Sequence, residues 1–258
     1  MIPFDGSLKG INITMVNIKI NGIEYSVKEG TTILEACRQN GIKIPTLCWL
    51  KDINAIGACR ICVVEMTGAR SLVASCVYPL SKFDEGKNIM THSPAVLQSR
   101  KMTLQLLLSN HNMDCLACSR NGTCELQELC KELGVDDTTY FEGEKNEYEI
   151  DYSSKHMFRD NNKCIHCRRC IAACDKLQGI GVIGANNRGF KTSIDCAFDL
   201  ELAETACVSC GQCIVACPTG ALAEKDDTDK VWDALADPEK VVVVQTAPAV
   251  RASLGEAF

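Results

Sequence analysis

Two runs of cysteine carry the clearest chemistry in this sequence. Cys164, Cys167 and Cys170 stand two residues apart in CIHCRRCIAAC, and Cys174 follows after three more. Cys207, Cys210, Cys213 and Cys217 repeat that spacing in CVSCGQCIVAC. Three thiolates on one tight loop cap three irons of a cubane. A fourth, at the start of a helix that points away, reaches a neighbouring cubane. The spacing therefore predicts two 4Fe-4S clusters with crossed ligation. One takes Cys164, Cys167, Cys170 and Cys217; the other takes Cys207, Cys210, Cys213 and Cys174. The second run ends in Cys217-Pro218, as the two-cluster pattern expects, while the first ends in Cys174-Asp175, a departure that leaves the ligands intact. Structural zinc joins separated C-x2-C knuckles, so two zinc sites fit these runs poorly.

Two further sets lie upstream. Cys48, Cys59, Cys62 and Cys76 are spaced x10, x2, x13. Plant-type ferredoxins hold 2Fe-2S through C-x4-C-x2-C and a distant fourth cysteine. Here the first gap is longer, and Gly57 in GACRIC supplies a glycine where the loop must wrap closely. His111, Cys115, Cys118 and Cys124, in HNMDCLACSRNGTC, are spaced x3, x2, x5. Alone, a Cys3His set is most often zinc. Its place in sequence between a 2Fe-2S segment and a two-cluster segment argues for a third 4Fe-4S cluster with His111 on one iron, because zinc has no redox chemistry and would interrupt an electron wire. A neutral imidazole in place of a thiolate raises the cluster's potential, by the logic of histidine-ligated Rieske centres.

The elements that must position these ligands are legible around them. VNIKI and IEYSV flank Asn21-Gly22, the preferred type I′ hairpin turn. TTILEACRQNG offers a capping box at Thr32 and Glu35 and a helix end at Gly41. CVVEM and SLVASCV read as strands. Ser93-Pro94 starts a second helix, with His111 just past its end, and CELQELCKELG is a third, stopped by Gly134. The fold class is α+β, in the order β-grasp 2Fe-2S ferredoxin domain (15–92), small helical His/Cys3 domain (93–134), acidic connector (135–154) and bacterial-ferredoxin-like two-cluster domain (155–224). Residues 1–14 read as a flexible extension, with Met15 an alternative start. The connector carries seven acids against one lysine, which reads as a solvated strap. In 225–258 a short helix ends at Pro238, and VVVVQTAPAVRASLGEAF reads as a buried strand leading into a new element.

The chain has 258 residues, 18 of them cysteine, and a net charge of −6. That balance argues against nucleic acid, which calls for a basic face. No apolar run approaches the ~20 residues of a membrane span, and no secretory signal is visible, so a cytoplasmic protein is expected. In a reducing cytosol these cysteines mean metal or redox work rather than disulfides. Sixteen ligand positions use fifteen cysteines and one histidine. The remaining Cys37, Cys130 and Cys196 fall on apolar faces and read as buried thiols. His92, His156 and His166 read as surface residues or neighbours of the ligands. GIGVIG at 179–184 matches a dinucleotide fingerprint in letters only, since it lacks the strand before and helix after. No nucleotide or flavin is expected on this chain.

Together, the β-grasp pattern, HNMDCLACSRNGTCELQ and the paired CIHCRRC and CVSCGQCIVACPTGAL blocks resemble the N-terminal electron-transfer region of iron-only hydrogenases. The same module occurs in the large iron–sulfur subunit of NADH dehydrogenase and in NAD-dependent formate dehydrogenase alpha subunits. The resemblance runs from about Met15 to the end, and 225–258 looks like a linker and the truncated start of the hydrogenase catalytic domain, which favours the hydrogenases. It implies an electron relay with one 2Fe-2S and three 4Fe-4S clusters, without the hydrogen-activating site, whose cysteines lie far downstream in that family. It also implies partner subunits: a flavin- and NAD(P)-binding iron–sulfur subunit, a small 2Fe-2S subunit and soluble ferredoxin. A module of formate or NADH dehydrogenase, and a stand-alone carrier, are the alternatives.

Overall fold

A hairpin starts the described chain because its turn residues accept the left-handed backbone. Asn21 and Gly22 have φ of 53° and 87°, joining β1 (Met15–Ile20) to β2 (Ile23–Lys28) in antiparallel register, with Ile20 opposite Ile23. The computed structural model describes residues 14–135 and 140–257, so the expected extension lies almost wholly outside them. Helix α1 (Ile33–Gln39) follows, with both hydrogen bonds of the Thr32–Glu35 capping box formed. Strands β3 (Val63–Met66), β4 (Val73–Ala74) and β5 (Asn88–Met90) complete a five-stranded sheet ordered β2-β1-β5-β3-β4. β1 and β5 run parallel, and the other pairs run antiparallel. The SLVASCV segment yields only two strand residues, because its end bends to deliver Cys76.

Ser93 caps α2 (Pro94–Ser109), its hydroxyl accepting from the Val96 amide at 3.4 Å. Helix α3 (Glu125–Leu133) ends on Gly134 at φ 58°. Leu104 and Leu108 of α2 meet Leu126 and Leu129 of α3 in an apolar cluster shared with Leu47, Cys48, Cys59, Ile61, Ile165 and Cys167. This core belongs to three cysteine segments at once. The remaining secondary structure is short: β6 (Met157–Arg159), α4 (Arg169–Ala172) running into a π-helical turn, β7 (Ile183–Asn186), β8 (Ser193–Cys196), α5 (Gln212–Ala216) and β9 (Leu222–Glu224). β6 pairs with β9, and β7 with β8.

The connector differs from a solvated strap. Asn146 donates its amide to Asn110, Tyr148 donates its amide to Asn162, and Asp151 pairs with the buried Arg159 at 3.1 Å. Residues 136–139 lie outside the described residues. The segments on either side supply partners for these polar groups, Asn110 from one and Asn162 and Arg159 from the other, which composition alone does not reveal.

Residues 224–258 form a separate compact unit. It holds α6 (Thr228–Ala236) and α7 (Pro248–Ala257). The expected buried strand is absent there. Val241–Val244 form no strand, and Val241 is 91% exposed. A strand needs a neighbouring ladder for its backbone groups, and this unit has no β-partner among its described residues.

Candidate metal centres

Left-handed residues shape both cysteine runs. His166 and Arg168 have φ of 53° and 60°, and Ser209 and Gly211 have 54° and 74°. These are the second and fourth positions after Cys164 and after Cys207. The same two kinks in each copy curl C-x2-C-x2-C into a cup whose amides face inward, as shown by His166, whose amide donates to Cys164 Sγ at 3.4 Å. Gly211 takes the left-handed turn without strain; Arg168 takes it with a side chain.

Two cavities open in these cups. One is lined by Cys164, Cys167, Cys170 and Cys217 with Ile165, Ile183 and Ile194. The other is lined by Cys174, Cys207, Cys210 and Cys213 with Met157, Val182 and Leu202. Each gathers three cysteines of one run and the fourth of the other. Burial pushes the Cys164 and Cys167 thiols up to about 12, and Cys170 well above its ordinary value. Cys213 is likewise pushed up to about 12. A buried thiol resists losing its proton to water, so a metal must displace that proton.

Beside the five-stranded sheet, Cys48, Cys59, Cys62 and Cys76 share hydrogen bonds. Those from Cys59 and Cys76 hold the Cys48 thiol down to about 2, and one from Cys76 lowers Cys62 to about 6. Bonding to Cys48 raises Cys59 and Cys76 in turn, with burial adding to the effect. Gly57 sits at φ 64°, and a Cβ there would meet Val77 at 3.1 Å, so the loop closes where the glycine stands.

The third set is looser. Cys115, Cys118 and Cys124 are half-buried and interact electrostatically. His111 is buried and lines a polar cavity with Asn110, Asn112, Asn146 and Asn162. Burial, then the charge of Lys163, lowers its pKa to about 4, so it is a neutral imidazole. Its Nδ1 is buried without a hydrogen-bond partner. Lys163 in turn adjoins Gly220, whose missing Cβ leaves room for Cys118 Sγ.

Among the described residues, no group of three or more His, Cys, Asp or Glu side chains is placed to hold a metal ion. The two cysteine runs ring cavities instead of converging on a point, whereas His111 lines a cavity that Cys115, Cys118 and Cys124 do not border. Soft thiolates, dry apolar walls and an orphaned imidazole nitrogen fit sulfide-bridged iron.

The arrangement in space is not that of the sequence. The His/Cys3 segment does not separate the 2Fe-2S segment from the two-cluster segment. Cys48 and Cys167 are close enough to interact electrostatically, and Asn54 hydrogen-bonds to both their carbonyls. The cavity of Cys164 also borders the third set, where Arg120 donates to the Cys217 carbonyl at 2.7 Å and Arg169 pairs with Glu125 through two bonds of 2.7 and 3.0 Å. Zinc in the third set would therefore not interrupt a path from the Cys48 set to the Cys164 cavity, the inner of the two; the Cys207 cavity is the outer one.

Sequence reasoning missed the buried arginines. Arg100, 1% exposed, donates to the carbonyls of Ile61 and Val63 around Cys62. The signal was present, since Val96, Arg100, Leu104 and Leu108 recur every four residues on one face of α2. Arg159 lines the inner cavity and pairs with Asp151 and Asp195. The spare thiols behave as expected in part: Cys37 and Cys196 are buried, Cys130 is half-buried, and burial raises all three. His92 and His156 are exposed, and His166 is half-buried beside Cys164. GIGVIG follows a π-helical turn and leads into β7, without the strand–turn–helix of a nucleotide site.

Comparison with known proteins finds iron–sulfur families over the same three stretches of chain. Residues 14–93 match the family model of the 2Fe-2S iron-sulfur cluster binding domain, and 163–221 match the 4Fe-4S dicluster domain. Residues 100–139 match the NADH-ubiquinone oxidoreductase-G iron-sulfur binding region. The chain is 46% identical over 249 residues to the NADP-reducing hydrogenase subunit HndD of Solidesulfovibrio fructosivorans, covering 95% of this chain and 42% of that one. It is an iron–sulfur electron-transfer module of the hydrogenase and NADH dehydrogenase type. The module is also 39% identical over 246 residues to iron hydrogenase 1 of Clostridium pasteurianum, again covering 95% of this chain and 42% of that one. It therefore spans about two fifths of the length of these relatives. A crystal structure of an NAD+-reducing [NiFe]-hydrogenase in the H2-reduced state contains a chain that superposes with a TM-score of 0.74 at 28% identity, covering 81% of this module and 87% of that chain. No described helix is long and apolar enough to cross a membrane.

Proposed function

We propose that the module holds one 2Fe-2S and three 4Fe-4S clusters and serves as the electron-transfer part of an iron-only hydrogenase subunit. Cys48, Cys59, Cys62 and Cys76 hold the 2Fe-2S cluster. His111, Cys115, Cys118 and Cys124 hold one 4Fe-4S cluster; Cys164, Cys167, Cys170 and Cys217 hold the second; Cys174, Cys207, Cys210 and Cys213 hold the third. The domain limits given above go with this reading. When bound, the clusters supply one-electron transfer in which no bond forms or breaks. The chain's own residues space the sites, keep water out with apolar walls and offset thiolate charge with the buried arginines.

The carrying observation is the pair of cavities, each ringed by four cysteines in the crossed pattern. The hydrogenase reading rests on alignment length. Covering 95% of the chain requires both hydrogenase alignments to enter residues 225–258. Electrons would pass between a flavin- and NAD(P)-binding partner with its small 2Fe-2S companion, or ferredoxin, and a hydrogen-activating site, in the cytoplasm. A second reading, a separate electron-transfer subunit, is favoured by the [NiFe]-hydrogenase chain, 87% of which this module covers.

The first test is the anaerobically purified protein from its native cells. Intact mass near 28 kDa supports the separate subunit, and a much larger mass supports the hydrogenase subunit. Metal analysis should give iron and sulfide in roughly equal amounts, with little zinc. One zinc per chain would remove the third set from the cluster count. His111→Cys should keep that cluster and lower its potential in a redox titration followed by electron paramagnetic resonance.

A further inference from the structure

Asn54 belongs to no cysteine motif, yet its side chain joins two of them. Its Nδ2 donates to the Cys48 carbonyl at 2.7 Å and to the Cys167 carbonyl at 3.1 Å. The residue is 3% exposed, so neither carbonyl has water as a ready substitute there. It reaches across because residues 50–54 close on themselves. Leu50 and Asn54 exchange backbone hydrogen bonds in both directions at 2.8 Å, and Asp52 takes the left-handed conformation between them. The adjacent Ile53 carbonyl accepts from Lys176 Nζ at 2.7 Å, a second tie between the same two regions.

An amide is suited to this place. Two N–H groups on one nitrogen serve two acceptors, and the group adds no charge beside the thiolates. Aspartate has the same shape but would set a carboxylate against two carbonyls. The ends of the bridge are ligand residues of two different sites, so moving either loop moves a ligand.

We infer that Asn54 is a positioning residue that locks the Cys48 loop to the Cys167 loop and so fixes the separation of the two metal sites. Its consequence for electron transfer rests on the proposed function; the tie between loops does not. The step it serves moves one electron from a reduced centre to an oxidised one, with dithionite as the reductant in the test. Tunnelling falls off steeply with separation, so loosening this tie weakens that step without touching a ligand.

The test uses the full chain loaded anaerobically with iron and sulfide, comparing wild type with Asn54→Asp and Asn54→Ala. Hydrogen exchange should run about tenfold faster at the amides flanking Cys48 and Cys167 in both variants, while β1 is unchanged. The magnetic coupling between the reduced 2Fe-2S centre and its 4Fe-4S neighbour should weaken, with each centre's own signal retained. Unchanged exchange, or faster exchange with unchanged coupling, overturns the proposal. If Asn54→Asp does not load, Asn54→Ala decides. Cofactor loss confined to the two bridged sites supports the tie, and equal loss at all four sites indicates a general folding role and overturns it. Zinc in place of iron would end the cluster reading, while the exchange rates would still judge the tie.

Discussion

The two cysteine runs share a spacing and a backbone but occupy different surroundings. Around the inner cavity, Cys167, Cys170 and Cys217 are all buried, and the Cys48 loop, Arg159 and the third ligand set press against it. Around the outer cavity, Cys210 is exposed and Cys207 half-buried. The motif fixes how thiols are presented; the neighbours decide what the site is connected to. The inner cavity touches two other cysteine segments, while the outer one has two buried thiols, Cys174 and Cys213, and one exposed thiol, Cys210. A duplicated motif thus sits in two different surroundings, set by residues outside it.

The largest expected effect comes from exchanging the crossed ligands. Cys174→Ser should empty the outer site, although Cys174 lies in the inner run, and Cys217→Ser should empty the inner one. Each should lose about four of roughly fourteen irons, and paramagnetic resonance should show which signal disappears. Loss at the site of the residue's own run would break the crossed assignment and the comparison with it.

Next is Arg159, the buried charge at the inner cavity. Its guanidinium lies 3.1 Å from Asp151 and 2.6 Å from Asp195, with all three side chains largely buried. Arg159→Gln strands two carboxylates and should cost about 3–5 kcal/mol in anaerobic urea unfolding. A cost under about 1 kcal/mol would show that water reaches the site and that inner and outer surroundings differ less than their burial suggests.

Acid should test a region outside both runs. Burial works to raise the Asp84 carboxyl, but hydrogen bonds from Lys87, Ser81 and Tyr78 outweigh it and hold the pKa below the usual value. The stability this contributes is complete above the unfolded value of about 3.9 and is lost as pH falls through the lowered folded value. Asp84→Asn should flatten that acid limb in pH-dependent unfolding of the sheet. The smallest effect is expected at Trp232, 65% exposed on α6. Trp232→Ala should shift the unfolding of residues 14–223 by no more than about 0.5 kcal/mol.

Much of this was legible because the ligands are covalently spaced. Asn21-Gly22, Thr32 with Glu35, Ser93-Pro94 and Gly134 announced their elements because each acts within a few residues. Their geometry is local, so sequence carries it. What sequence did not carry was adjacency: that Cys48 faces Cys167, that Asp151 leaves the acidic strap to pair with Arg159, and that the valines of 241–244 find no ladder. Asn54 has no local pattern at all, since its two partners are defined only once the loops meet. Arg100 was the exception, visible as a charge on an apolar stripe.

Gly220 carries a genetic consequence. A methyl group there would stand 2.5 Å from Cys118 Sγ, with the Arg120 and Lys163 side chains 3.7 Å away. A substitution scored as a lesion of the CPTGAL block would register instead as a metal defect in the His/Cys3 segment. The two segments are therefore coupled at this position, and a hybrid whose block brought a larger residue to position 220 would inherit a clash with Cys118.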